Sequence, residues 1–531
     1  MREPGRLSPS SAVFRRTSAV PLPPRHLLPR LLREPGTWVI AATAALYACV
    51  VVPHWQPTWD SAIYITVARS LVRGEGYAYM GYPHTKYPPG FPLLLTPIVA
   101  LFGESFVVMR ALVAGCAVAS VGMAYVLVRR AAGRWVAAAT AVMTAMSYAL
   151  LFEATRILSD VPYMLVSLVA LLAVERFRET RSHRRLALVV ALCAVAYLTR
   201  IVGFAIALAA AISLVRDVPR VRIPVAARHA GIVLVGLAVV VGLWMGRNAV
   251  VSNELPPTLR EALSYERELV AARAAAPHAD TVGWRTLGER LEANVQYYAG
   301  LTGMLLTSKR TQSVWPIALV FAGWVVVLAR RSTVLEWYFG GYVAVYLLWP
   351  AHQGERFLVP VLPMIYYYAV SAVAAAADGA TVVFRASPAR RRVVGSVVVT
   401  TVAAAFVVFA ARPVGARVRA EHRAPYHAVV MGETIDALVW LRDSTAPDAV
   451  LVTNRAPYGV LWADRRTYTV PWVADREEIL ASIHANGVTH AVTNSHTQTY
   501  LGPVVDGLPA MFRPLKKFGS TRVYEVRRAT P

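Results

Sequence analysis

The feature that most constrains the fold is a series of apolar stretches, each long enough to cross or enter a lipid bilayer. Arg-rich links alternate with links that carry few cations, which is expected when all the basic links lie on the cytoplasmic side. This alternation predicts a polytopic α-helical membrane protein with a cytoplasmic N-terminus and about eleven spans. The predicted spans cover residues 38–52, 106–128, 135–152, 161–174, 186–198, 201–215, 231–245, 314–328, 335–349, 358–377 and 393–410.

The composition excludes an ordinary soluble protein, because 56% of the residues are hydrophobic and the mean hydropathy is +0.45. The formal net charge of +24 could indicate a nucleic-acid partner. The basic residues, however, lie between apolar stretches rather than on one soluble face, so we expect a lipid bilayer and no nucleic acid as partner. The cysteines provide neither a disulfide framework nor a metal motif; they are Cys49, Cys116 and Cys193.

The chain divides into three parts. Residues 1–36 are rich in Pro and Arg and predict a disordered cytoplasmic tail. Residues 37–411 form the membrane domain, with long outer loops at 54–105 and 247–312, and we expect helices at 258–275 and 284–306 in the second loop.

The last part, residues 412–531, alternates helical patterns with short β-rich runs, which predicts a soluble α/β domain. An odd number of spans places this domain outside the cell membrane, and the Ala-, Arg- and Val-rich composition suggests a bacterial plasma membrane. We expect strands at residues 449–453, 467–470, 488–493 and 521–527, with helices at 433–443, 457–463 and 475–486.

The first outer loop contains the segment WDSAIYITVARSLVRGEGYAYMGYPHTKYPPGFPLLL, which is polar, aromatic and too long for a simple connection. Asp60 at its start is either a general base in an aromatic environment or the N-cap of the following helix. Lys86 stands before a Pro-Pro turn that keeps the chain extended, and its ammonium group suits a phosphate or an anionic lipid surface. His84 and Tyr87 flank this lysine and are further pocket candidates.

Other ionisable residues are predicted at the same membrane face. Asp160 in RILSDVPY is either a helix cap or a second acid, and Arg156 precedes it. Arg200 lies in a tight outer hairpin, where it binds a ligand or extends to the interface. The segment HQGERF holds three ionisable residues within five positions, a density that indicates function at a membrane edge; these are His352, Glu355 and Arg356.

The order of these motifs resembles the C-type membrane glycosyltransferases (GT-C), in particular the protein O-mannosyltransferase and lipid A aminoarabinose transferase group. The motifs are the early Asp60, Lys86 before the Pro-Pro turn, RILSDVPYML, YLTR and ERFLVPVLP, and the resemblance covers residues 38–411. It implies inverting transfer of a sugar from a polyprenyl-phosphate donor at the extracytoplasmic face, without a nucleotide sugar.

The resemblance also implies roles for individual residues. Asp60 would be the catalytic base, and Asp160 a second acidic position. Lys86 would bind the donor phosphate, with Arg356 and Arg200 as additional phosphate contacts. The paired acids of metal-using members are absent around Asp60, so we expect no metal and no other cofactor. The domain inserted in eukaryotic protein mannosyltransferases is missing from residues 247–312, which leaves the acceptor open as a lipid, a glycan or a protein.

Three alternatives remain at this point. One is an enzyme that moves a whole lipid-linked glycan. Another is a transporter or flippase for a lipid-linked substrate, although charges at mid-span and internal repeats would be expected of it. The third is a non-catalytic membrane scaffold, which would tolerate loss of Asp60.

Overall fold

The computed structural model describes residues 33–217, 222–256, 259–260, 263, 271–273, 276–281, 283–307, 313–423, 426–470, 475–494 and 500–527. Nearly all of the predicted cytoplasmic tail lies outside these residues. Helices dominate the first three quarters of the chain. They are α1 Pro35–Ala48, α2 Trp59–Val72, α3 Gly90–Phe102, α4 Phe106–Ala132, α5 Arg134–Ala145, α6 Tyr148–Ala154, α7 Asp160–Thr180, α8 His183–Thr199, α9 Phe204–Val215, α10 Ile223–Val251, α11 Trp284–Thr307, α12 Trp315–Arg330, α13 Val334–Leu348, α14 Leu362–Val383 and α15 Pro388–His422.

Each predicted span overlaps one of these helices, and the chain is a multi-pass membrane protein. In the described residues, four helical stretches are long and apolar enough to cross a membrane: Phe106–Ala132, Ile223–Glu254, Gly354–Val383 and Pro388–His422. The bent pair α5 and α6, with an angle of 54° between its helices, makes a fifth if it counts as one span. Eleven spans therefore remain a prediction.

Side-chain bonds and close backbone contacts hold the helices together. The break between α5 and α6 leaves the carbonyl of Ala145 without a helical partner, and the hydroxyl of Tyr47 donates to it at 3.2 Å. Helices α12 and α14 approach so closely that a Cβ on Gly323 would lie 1.8 Å from the carbonyl oxygen of Tyr368. Only glycine permits this contact.

The first predicted outer loop is folded. It consists of α2, a two-stranded antiparallel hairpin (β1, Ala78–Tyr79; β2, Tyr82–Pro83) and α3. The N-cap of α2 is Thr58, whose side-chain oxygen accepts from the backbone N–H of Ser61 at 3.2 Å. The alternative in which Asp60 caps this helix is therefore wrong, because the helix begins one residue before Asp60.

The structure of the second predicted outer loop differs in part from the expected pair of helices. The helix predicted at 258–275 is wrong at its C-terminal end, where β3 (Ala271–Arg273) pairs antiparallel with β4 (Ala276–Thr281). Strand pairing overrides the helix propensity of this Ala-rich run, and Pro277 cannot continue a helix. Most of the remaining predicted helix lies outside the described residues. The helix predicted at 284–306 is confirmed by α11.

The C-terminal residues form a five-stranded sheet with the order β6-β5-β7-β9-β8. Strands β5, β6 and β7 are parallel, whereas β9 and β8 run antiparallel to their neighbours. The strand β8 and the short helix α19 were not predicted from the sequence. The elements are α16 Tyr426–Ser444, β5 Val450–Thr453, α17 Ala456–Ala463, β6 Arg466–Thr469, α18 Arg476–Ala485, β7 His490–Asn494, α19 Leu501–Asp506, β8 Phe512–Phe518 and β9 Thr521–Val526.

The long helix α15 extends to His422, past the predicted boundary at residue 411. An independent extracytoplasmic domain at 412–531 therefore remains a prediction. A buried ion pair attaches the end of α15 to the membrane bundle. Arg110 of α4 contacts the Glu421 carboxylate and donates to the carbonyls of Val50 and His54, both at 2.7 Å. The side chains of Arg110 and Glu421 are each 1% exposed.

Replacing Glu421 with Ala is expected to destabilise the protein strongly, because it leaves the Arg110 guanidinium buried without its counter-ion. The expected loss is about 3–5 kcal/mol, measured by thermal or denaturant unfolding in a neutral detergent. The matched control is Glu289→Ala, which breaks an exposed pair with Arg285 and should have little effect. Equal effects of the two substitutions would contradict the structural role of Glu421.

Candidate active site

Three charged residues from distant parts of the chain meet at the end of the helix bundle. The Arg356 guanidinium lies 2.6 Å from Oδ2 of Asp60 through Nη1, and 2.6 Å from Oδ2 of Asp160 through Nε. The three side chains are 10%, 15% and 0% exposed, respectively. Because the ions are removed from water, each depends on the others for compensation of its charge. We call Asp60, Arg356 and Asp160 the charge cluster.

Helix starts position the two acids of the charge cluster. Asp60 lies in the first turn of α2, and Asp160 in the first turn of α7. Carboxylates are favoured there, because the helix dipole places partial positive charge at the N-terminus. Ser159 occupies the N-cap position of α7, and no side-chain capping bond forms there. Asp160 is thus not the cap, and its side chain is directed to Arg356.

Arg356 belongs to a 3₁₀ segment, Gly354–Val361, that follows helix α13. Gly354 has a φ of +66°, in the left-handed region that favours glycine. This residue turns the chain at the point where it enters the segment. The guanidinium also donates to the side-chain oxygen of Gln353 at 2.9 Å.

Arg200 forms a second pair with Asp160, with 2.7 Å between its Nη1 and Oδ1. The same nitrogen donates to the hydroxyl of Ser159 at 3.2 Å, and that hydroxyl shares a 3.2 Å hydrogen bond with Tyr64. Nη2 of Arg200 donates to the hydroxyl of Tyr346 at 3.4 Å. The side chain is 14% exposed, so Arg200 is a member of the site and not an interfacial anchor.

Tyr87 links the outer loop to the charge cluster, because its hydroxyl donates to Oδ1 of Asp60 at 2.7 Å. Burial raises the pKa of the Asp60 carboxyl. The positive charge of Arg356, the hydrogen bond from Tyr87 and the charge of Lys86 oppose burial and hold the pKa below its usual range. Asp60 is therefore ionised at neutral pH and can accept a proton.

Lys86 is half-buried in the same loop, close enough to lower the pKa of Asp60. The loop ends against the hairpin that carries Arg200. A Cβ on Gly90 would lie 2.7 Å from the carbonyl oxygen of Leu198, so a side chain at this position would separate the loop from α8. The Pro-Pro-Gly turn thus places the loop beside the residues that bind Asp160.

His84 is fully buried and shapes the loop. Its Nε2 accepts from the backbone N–H of Tyr87 at 3.1 Å, and its carbonyl accepts from Arg247 at 2.6 Å. Burial, assisted by the positive charges of Lys86 and Arg247, lowers the pKa of His84 to about 3. The ring is neutral under ordinary conditions, which suits packing better than proton transfer.

The other predicted pocket residues have contacts of their own. The ring of His352 stacks on Tyr297 of α11 at 3.9 Å, and Nε2 lies 2.5 Å from Oδ1 of Asn294. Arg156 pairs with the buried Glu153 at 3.1 Å. Glu355 directly precedes Arg356 in the 3₁₀ segment.

Several site residues were missed from the sequence. Tyr64, by contrast, was expected in the aromatic environment of Asp60, and its spacing of four residues places both on one helix face. Ser159 is adjacent to Asp160 and could have been included with it. Glu153 lies three residues before Arg156, a spacing that allows a local ion pair. Tyr346 had no local signal, because only the tertiary fold brings it to Arg200.

The C-terminal residues support the helix that carries Asp60. Trp55 donates its indole N–H to the hydroxyl of Ser61 at 3.1 Å. Its ring contacts Tyr458 of α17 edge-on, with 5.0 Å between centroids, and Trp462 at 6.0 Å. Helix α17 is therefore packed directly behind the first turn of α2.

Ion pairs stabilise the packing of α17 against α2 at the C-terminal ends of the two helices. Asp464, which follows α17, lies 2.9 Å from Arg69 of helix α2 and 3.0 Å from Arg73, the residue that caps the end of this helix. Burial raises the pKa of the Asp464 carboxyl, but the hydrogen bonds and charges of the two arginines outweigh this effect and lower the pKa. Asp464 is ionised at neutral pH and holds the two helices together.

A metal centre was not expected. In the residues that the structure describes, no group of three or more His, Cys, Asp or Glu side chains could hold a metal ion. The absence of a required metal remains an expectation. Arg356 and Arg200 together balance the charges of the two carboxylates.

Comparison with known proteins supports the resemblance. Residues 86–245 match the model of the family described as dolichyl-phosphate-mannose-protein mannosyltransferase. The fold is similar to that of ArnT from Cupriavidus metallidurans bound to undecaprenyl phosphate, with a TM-score of 0.61 and 15% identity over 93% of this chain and 98% of ArnT. No curated protein matches the sequence.

A second similar fold is the oligosaccharyltransferase of Archaeoglobus fulgidus in complex with zinc and sulfate. The TM-score is 0.53, with 13% identity over 89% of this chain and 69% of the archaeal chain. Identities this low show the fold alone. The chain is thus a multi-pass membrane protein with the fold of the C-type membrane glycosyltransferases, as its sequence motifs predicted.

Proposed function

We propose that this protein is an inverting glycosyltransferase that moves a sugar from a polyprenyl-phosphate carrier to an acceptor at the extracytoplasmic membrane face. The observation that carries the proposal is the charge cluster, in which Arg356 lies between the carboxylates of Asp60 and Asp160. Two similarities support the donor class. One is to an ArnT that binds undecaprenyl phosphate, and the other is to a family named for dolichyl-phosphate mannose.

The proposed reaction is a single displacement. The acceptor oxygen forms a bond to the anomeric carbon while the bond between that carbon and the phosphate oxygen breaks. The bonding electron pair leaves with the polyprenyl phosphate, and Asp60 takes the acceptor proton. The departing phosphate needs no proton, so one base is sufficient.

Cations stabilise the departing phosphate. Lys86, Arg356 and Arg200 are the candidates, and all three are half-buried or buried where a phosphate charge interacts more strongly than in water. Asp160 pairs with both arginines and thereby orients them. We therefore assign Asp160 a positioning role.

Donor binding would also activate the base. Without donor, Arg356 lowers the pKa of Asp60 and makes it a weak proton acceptor. A donor phosphate competes with Asp60 for the same guanidinium. As Arg356 turns to the phosphate, the pKa of Asp60 rises and the carboxylate becomes a stronger base. Proton removal is thus coupled to the presence of the donor.

The acceptor and the sugar are not specified by these residues. Transfer of a whole lipid-linked glycan would use the same cluster. A transporter would move an intact donor without breaking the sugar–phosphate bond, and a scaffold would retain its function without Asp60. The assay below separates these alternatives from sugar transfer.

Sugar release from a panel of radiolabelled polyprenyl-phosphate sugars tests the proposal, using membranes that carry the protein. Wild type should consume one donor. Asp60→Asn should lower the rate by about 10²–10⁴-fold, the usual contribution of a general base, and Lys86→Ala should raise the donor KM. Asp378→Asn is the matched control, because Asp378 forms a half-exposed pair with Arg391 elsewhere. Consumption of no donor, or full activity of a folded Asp60→Asn variant, would refute the mechanism.

The pH dependence of Tyr87→Phe tests how Asp60 is tuned. A base must be ionised, so activity falls as pH drops through its pKa. The hydrogen bond from Tyr87 lowers this pKa, and its removal should move the acidic limb of kcat/KM to higher pH. Tyr79→Phe in the same loop is the control and should leave the limb unchanged. An unshifted limb in Tyr87→Phe would argue against Asp60 as the titrating base.

A further inference from the structure

A crevice in the C-terminal sheet lies outside the charge cluster. It is lined by the carboxyl ends of the parallel strands β5 and β7, through Thr453 and Thr493, and by Arg455, which precedes helix α17. Helix α16 covers it through Thr434. None of the residues lining the crevice in the described part of the chain is acidic.

The strand order places this crevice where ligands bind in open α/β sheets. From β5 the chain crosses to β6 on one side, and it then returns to β7 on the other side of β5. The connection that leaves the carboxyl end of β5 therefore runs toward β6 and away from β7, which makes the crevice beside these two strand ends a switch point. Such a topological switch point is the usual ligand site of this sheet type.

A buried hydroxyl gives a second, independent indication of a ligand. Thr493 is 4% exposed, and its Oγ1 has no hydrogen-bond partner among the described residues. A buried polar atom without a partner costs free energy. Because Thr493 lines the crevice, a ligand there could satisfy this hydroxyl.

The charge of the lining determines the class of ligand. Arg455 is exposed and forms no ion pair within the part of the chain that the structure describes. It directly precedes the eight-residue helix α17, whose N-terminus adds partial positive charge. The guanidinium of Arg455, the threonine hydroxyls and the lack of an acid among the described lining residues favour an anion with several oxygen acceptors.

We propose that this crevice binds the phosphate group of a small ligand, with Arg455 as the cation and the hydroxyls of Thr453 and Thr493 as donors. The site is separate from the charge cluster, and the proposal does not depend on the transfer reaction. Free phosphate, a phosphorylated sugar and a phospholipid headgroup share this chemistry.

The crevice is connected to the active-site loop through α17. Arg455 precedes this helix at the crevice, while Tyr458, one turn later, packs against Trp55. Asp464 then pairs with helix α2. A phosphate bound at Arg455 would therefore stabilise the helix that supports Asp60.

Isothermal titration of the full-length protein in a neutral detergent, at constant ionic strength, tests the proposal with inorganic phosphate as the probe. Wild type should show two phosphate-binding sites. Lys86→Ala should remove the site at the charge cluster, and Arg455→Gln should weaken the site in the crevice. Arg455→Gln should weaken its site by about tenfold or more, as expected for a charge-assisted contact. The control is Arg513→Gln, because Arg513 lies in the edge strand β8, which β9 separates from β7.

The variant Thr493→Val separates a loss of phosphate binding from a loss of folding. Phosphate binding at the Arg455 site should weaken by about two- to tenfold, while the thermal midpoint stays equal or rises, because a buried hydroxyl without a partner is removed. Phosphate affinity equal to wild type in both Arg455→Gln and Thr493→Val would overturn the proposal. This result would leave the Lys86-dependent site, and hence the proposed transfer function, untouched.

A hexose 1-phosphate and nanodiscs of phosphatidylglycerol or phosphatidylcholine identify the source of the phosphate. Binding that requires Arg455 and is tighter for the hexose 1-phosphate than for inorganic phosphate assigns a phosphorylated sugar. Arg455-dependent binding to phosphatidylglycerol nanodiscs assigns a lipid headgroup. If none of these probes binds in an Arg455-dependent manner, the crevice is not a phosphate site.

Discussion

The interaction on which the site depends is the contact of one guanidinium with two carboxylates. Arg356 contacts both Asp60 and Asp160, which lie at the starts of separate helices, and Arg200 supplies a second positive charge to Asp160. Without Arg356, the Asp60 carboxylate would lose its ion-pair partner, and its pKa would rise. The contact therefore fixes the relative positions of α2, α7 and the Gly354–Val361 segment. It also keeps Asp60 ionised, as required of a base.

The same arrangement explains why the C-terminal residues matter for a site in the membrane domain. Helix α2, which carries Asp60, packs against α3 of the same loop and against α17 of the C-terminal residues. Aromatic contacts at Trp55 and the ion pairs of Asp464 hold α17 in place. The Arg110–Glu421 pair anchors the end of the helix that leads into the C-terminal sheet. The sheet is thus coupled to the loop that carries Asp60 and Lys86 by packing and charge together.

The sequence predicted the helices well, because apolar stretches and basic links are local signals. It also selected Asp60, Lys86, Asp160 and Arg356, since ionisable residues at a membrane edge are rarely accidental. It could not predict that Arg356 contacts both acids, because a single sequence carries no information on which distant residues pair.

Two other features were decided by tertiary structure. His84 has the residue type of a proton donor, but burial among loop aromatics makes it a packing residue. The Ala-rich run before Pro277 has helix propensity, but strand pairing determines its conformation. In both cases the local pattern was compatible with more than one structure, and contacts distant in sequence selected between them.

The most direct test of the account is a structure of the protein with a bound polyprenyl phosphate. The account predicts a phosphate in contact with Lys86 and Arg356, with Arg356 turned from Asp60 toward the phosphate while Asp160 retains its pairing with Arg200. A phosphate bound away from Lys86, with the Asp60–Arg356 pair unchanged, would contradict the proposed mechanism.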